Sequence, residues 1–68
     1  MPTINEYKRR ANELAIRATE LINIAKDLEQ MGLTEESDER MIEALDNINK
    51  ANQYMIIVMA LSQPTILN

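Results

Sequence analysis

Residues Ile4–Leu28 read INEYKRRANELAIRATELINIAKDL. Taking every third and then fourth residue gives Ile4, Tyr7, Ala11, Leu14, Ala18, Leu21, Ala25 and Leu28, with no polar residue among them. A 3,4 spacing held over this length is the seam of a long helix that lies against other helices. From Ala11 onward the seam alternates small and large, alanine then leucine.

The helix boundaries follow from the residues on either side. Thr3 followed by Glu6 forms a capping box, which starts helix 1 at about residue 4. Gly32, the only glycine, stands where a left-handed C′ residue is wanted. Helix 1 then ends at about Met31, with Leu28 and Leu33 as the pair that touches in a Schellman motif. Residues 32–34 form the turn. Thr34, or Ser37 as the other candidate, caps helix 2, and Glu35 and Glu36 sit in its first turn against the positive helix end. Helix 2 runs over about 35–62. Pro64 forbids continuation and drives Gln63 out of the helical region, leaving a tail over 63–68. A connection this short makes the two helices antiparallel neighbours. The fold class is therefore all-α: an αα-hairpin.

Helix 2 carries a broader apolar face: Met41, Ala44, Leu45, Ile48, Ala51, Met55, Val58 and Met59, interrupted by Asn52. The methionines Met31, Met41, Met55 and Met59 are core filling by default, with Met55 and Met59 the candidates for an adaptable binding surface. From Met55 to Leu61 every residue is apolar. A helix apolar on all sides is buried on more than one side, and a single antiparallel neighbour covers only one. Met55, Ile56, Ile57, Met59, Ala60 and Leu61 are thus the expected partner or oligomer interface. Asn52 either pairs with its symmetry mate in that interface or faces water.

Composition narrows the ways such a chain can be stabilised. A chain of 68 residues buries a modest fraction of its surface and needs a disulfide, a metal or a partner. Cysteine and histidine are both absent, which leaves no disulfide and none of the commonest metal ligand. Association remains. The expectation is a two-fold dimer of hairpins forming an antiparallel four-helix bundle. Charge agrees with that orientation. Residues 1–19 hold two acids and four bases, residues 20–50 nine acids and three bases, and residues 51–68 no charged side chain, for a net charge of −4. Hairpins stacked with their turns at opposite ends set acidic beside basic. Local i,i+4 pairs are expected at Glu6–Arg10, Glu13–Arg17, Glu36–Arg40 and Asp46–Lys50.

Chemistry is poorly represented. Glu6, Glu13, Glu20 and Asp27 recur every seventh residue, but on the water side of the seam and with no histidine to complete a bundle metal site. No nucleophile stands beside a base, and one glycine makes no phosphate loop. The chain reads as a non-enzyme with no cofactor. Lys8, Arg9, Arg10 and Arg17 form a small basic patch suited at most to weak anion or nucleic-acid contact. No aromatic residue interleaves it except Tyr7, which belongs to the seam. The longest apolar run is far short of the ~20 residues that cross a bilayer. No signal-peptide core follows the basic residues, so a cytoplasmic location is expected.

In pattern, the Ala/Leu seam in a hairpin of this length resembles the Rop-type plasmid copy-number regulators, which form antiparallel four-helix bundles. It is also similar to the small helical-hairpin co-chaperones of type III secretion needle subunits, which cover a partner's apolar helix. The first resemblance implies an RNA-binding regulator and the second a heteromeric co-chaperone-like subunit. The residues themselves point to a homodimer that binds or regulates another protein.

Overall fold

The computed structural model describes residues 2–63. It contains two helices, α1 (Ile4–Gln30) and α2 (Thr34–Ser62), packed against each other as an antiparallel hairpin. Helices of 27 and 29 residues are about 40 Å long at 1.5 Å per residue. The hairpin is therefore a rod two helices wide. The proline stop and the segment beyond it, residues 64–68, lie outside the described residues. Gln63 itself has left the helix with extended angles, φ −71° and ψ 130°, as a residue before proline should.

At the start of α1 the Thr3 hydroxyl oxygen accepts the Glu6 amide at 3.2 Å, the threonine half of the expected box. At its end Gly32 has φ +81°. The Leu33 amide donates to the Leu28 carbonyl and the Gly32 amide to the Glu29 carbonyl, both at 2.9 Å, which completes the Schellman pair. A Cβ built on Gly32 meets nothing within 4 Å, so the need for glycine there is purely conformational. Gly32→Ala should therefore cost about 1–2 kcal/mol, the penalty for an L-residue in the left-handed region. Chemical denaturation checks this, and a neutral result would mean the turn re-forms another way.

Helix 2 does not begin as expected. Thr34 is its first helical residue rather than its cap. The cap position falls to Leu33, which has no side-chain hydrogen bond to offer, because the Schellman bonds already hold its backbone in place. Ser37 is not a cap either. Its hydroxyl is buried and donates to the Ala25 carbonyl of α1 at 2.7 Å. A serine Oγ lies one bond beyond Cβ, so this contact requires the two backbones to approach closely.

The α1 seam is as the spacing dictates: Ala11, Ala18, Leu21 and Ala25 are buried, and Ile4, Tyr7, Leu14 and Leu28 are half-buried. Of the expected α2 face, Ala44, Ala51 and Val58 are buried and Ile48 is half-buried, but the line of contact is turned from the centre of that face toward Ser37. The buried stripe of α2 is Ser37, Ala44, Ala51 and Val58, while Met41, Leu45, Met55 and Met59 are exposed. No methionine among the described residues fills the hairpin core. The core centres on Ala18, Leu21 and Ala44, with Ile22 and Ile48 packed against it. Small residues on both helices meet, Ala18 against Ala44 and Ala25 against Ser37. Facing alanines set the axes at the close end of the ~8–10 Å range for packed helices. Nearer the open end of the hairpin, Tyr7 and Tyr54 stack with ring centroids 5.8 Å apart and planes tilted 36°.

Candidate interaction surface

The close alanine contact leaves apolar surface outside the core. When small residues occupy the line of contact, the larger side chains flanking it are held on the two outer faces instead of between the helices. Among the described residues twelve large hydrophobic side chains are 37–70% exposed, and only Leu21 is both large and fully buried.

One outer face carries a shallow groove of about 400 Å³ near the open end. Ala11, Ala15 and Ala51 form its floor, Met55 one wall, and Lys8, Asn12 and Asn52 its polar rim. Residues seven apart on a helix point nearly the same way. The same face therefore continues on α1 from Ala15 to Ile22 and, along its polar edge, from Asn12 to Thr19 and Lys26. On α2 it runs from Met55 back to Ile48 and Met41, and from Asn52 to Leu45 and Met59. Asn52 is exposed on this rim rather than buried within the hairpin. The opposite face carries the tyrosine stack, with Ile57 and Leu61 three and seven residues beyond Tyr54 on the same side.

The apolar run at the end of α2 is thus divided around the helix. Val58 turns inward and is buried. Met55 and Met59 lie on the groove face, Ile57 and Leu61 on the tyrosine face, and Ile56 and Ala60 point away from α1. All six candidate interface residues are exposed in the hairpin.

The four basic residues are all exposed but are not gathered. Lys8 stands on the groove rim. Arg10 and Arg17, seven apart, share another stripe, and Arg9 lies between the two directions. Arg9 meets Glu13 at 3.8 Å and Arg17 meets Glu20 at 3.4 Å. Of the expected local pairs, Asp46–Lys50 forms at 3.1 Å, whereas Arg40 turns to Glu43 at 3.0 Å. Arg17 and Arg40 choose the i,i+3 acid over the i,i+4 one. Exposed pairs differ by only ~0.2–0.5 kcal/mol, too little for sequence order to dictate the partner. Glu13, Glu20 and Asp27 of the seven-residue acidic repeat face water. Among the described residues no three metal-ligating side chains come together, and no helix is long and apolar enough to cross a membrane.

Sequence reasoning missed Tyr54 as the stacking partner of Tyr7, and Ala15 and Ile22 as parts of a docking face. The signal was present as a repeat of small residues: Ser37, Ala44 and Ala51 in α2 match Ala11, Ala18 and Ala25 in α1. Comparison with protein-family models, curated proteins and solved structures gives no match.

Proposed function

We propose that this chain is a non-enzymatic protein–protein interaction module. The hairpin pairs with a second copy to form a four-helix bundle and binds or regulates another protein through the apolar end of α2. One observation carries the reading: among the described residues twelve large hydrophobic side chains are exposed and only one is fully buried. Among the described residues Leu21 is the sole large, fully buried side chain, whereas Met55, Ile56, Ile57, Met59 and Leu61 are exposed together with seven others. Full burial of such a side chain stabilises by about 1.5–3 kcal/mol. A domain this small has little core energy of its own, so covering several of these side chains decides whether it folds. Scattered exposed hydrophobics are ordinary, but a contiguous set along one end of a helix marks a surface that something covers.

Sedimentation of the full chain through the micromolar range, with circular dichroism at each concentration, tests the proposal. The expected result is a helical dimer whose melting temperature rises with concentration, since association and folding are linked. A stable, fully helical monomer would overturn it. A chain unfolded alone but helical with a different protein would assign the apolar surface to a heteromeric partner instead.

A further inference from the structure

The geometry points to the groove face, rather than the Ile57/Leu61 face, as the surface that receives the second copy, with the two turns at opposite ends. This deepens the proposed self-association and rests on it. Three observations select the occupant and its orientation.

The first is shape. The Ser37–Ala25 hydrogen bond sets the register of the two antiparallel helices, which brings Ala44 level with Ala18 in one core cluster and Leu45 level with Arg17, the midpoint of α1. The groove floored by Ala11, Ala15 and Ala51 sits on the open-end side of that level. On the same face the turn-end side carries bulk, Ile22 and Met41. A two-fold axis through the midpoint, perpendicular to the helices, lays α1 along its own copy and α2 along its own copy. Ile22, five residues to the turn side, then falls opposite Asn12, five residues to the open side, where Ala11 and Ala15 leave the groove. Each copy fills the other's groove. Turns stacked together would set groove on groove and leave both empty.

The second is charge. Residues 4–19 of α1 hold four bases and two acids, and residues 20–30 hold three acids and one base. Antiparallel contact of α1 with its copy sets the net-basic half beside the net-acidic half, with the like pair Lys8 and Lys26 of the copy held at the rim. The third is extent. A face about 40 Å long and about 20 Å wide offers on the order of 800 Å², what each partner of a standard interface buries.

The test uses full-length chains and the position on the axis. Leu45 is exposed in the hairpin, so its replacement leaves the intrachain core intact. Leu45→Glu should weaken self-association by roughly 100-fold, because two carboxylates then meet in a closed apolar contact. Leu45→Lys should do the same, and an equimolar mixture of the two variants should recover association. Ile16→Glu, on the side of α1 away from α2, should leave it unchanged. If Leu45→Glu proves unfolded at every concentration, orientation is read from the parent background instead. Nitroxides on Asn5→Cys, twelve residues from the midpoint of α1, should lie roughly 35 Å or more apart in the dimer at 1.5 Å per residue. A label distance under about 20 Å would mean turns together and would overturn the orientation. A dimer untouched by Leu45→Glu but dissociated by Ile57→Glu would overturn the face and leave self-association standing. A monomeric parent chain would remove both readings.

Discussion

Leu21→Ala is expected to destabilise the chain by about 3–5 kcal/mol, the range for a fully buried leucine whose cavity does not collapse. Leu21 is 1% exposed and belongs to the cluster with Ala18 and Ala44. Its neighbours are poorly able to refill the space. Two are alanines, which have no rotamers to adjust, and the β-branched side chains of Ile22 and Ile48 are stiff at χ1. Total stability at roughly 0.05–0.15 kcal/mol per residue is only about 3–10 kcal/mol for this length. The variant should therefore lie near or past its midpoint of unfolding at room temperature. Urea denaturation at fixed chain concentration measures the effect, and Ile16→Ala is the comparison. Ile16 is half exposed on the side of α1 away from α2, and its truncation should change stability by about 0.5 kcal/mol or less. Equal losses at the two positions would mean that the core is not where the Ala18–Leu21–Ala44 cluster places it.

The contrast between the helices shows what the residues make readable. In α1 every seam position expected from the 3,4 spacing is buried or half-buried, and Gly32 with Leu28 and Leu33 makes the Schellman turn that stops the helix. Those signals are strong because hydrophobicity and stereochemistry agree. In α2 they conflict. Its largest apolar side chains, Met41, Leu45, Met55 and Met59, suggest one face, while the size of the residues facing α1 demands another. An alanine seam on one helix is best met by small residues on the other, and the stripe from Ser37 through Ala44 and Ala51 provides them. The face expected from the sequence already held Ala44, Ala51 and Val58, all buried; Ser37 weighs little on any hydrophobic scale, so steric complementarity was the only clue to its place in the stripe. The apolar run Met55–Leu61 was legible as a surplus from composition alone. Its division among three directions required the azimuth of α2, which the Ser37–Ala25 hydrogen bond and the Tyr7–Tyr54 stack reveal. Pairing of arginines with acids was not legible, since exposed alternatives three and four residues away are nearly equal in energy.

The alanine contact also sets the penalty for enlarging it. Ala18→Leu should cost about 3 kcal/mol, the upper part of the usual range for overpacking. Ala18 is 2% exposed and Ala44 is not exposed at all. Leucine adds three carbons between backbones already close enough for the Ser37 hydroxyl to reach a main-chain oxygen of α1. Either the new side chain leaves its preferred rotamers or the helices separate. Separation would stretch the Ser37–Ala25 bond, loosen Leu21 and break up the floor of the groove, so self-association should fall with stability. Asn23→Leu, at an exposed position on the same helix, adds comparable bulk and should change stability by about 0.5 kcal/mol or less. The decisive measurement is a double-mutant cycle. Ala44→Gly alone should cost about 1 kcal/mol through its helix propensity. In Ala18→Leu/Ala44→Gly the missing methyl gives the leucine room, so the combined loss should be smaller than the two single losses together. Strict additivity would show that these residues do not touch. The close small-residue contact, from which both the rotated face of α2 and its exposed apolar surface follow, would then have to be abandoned.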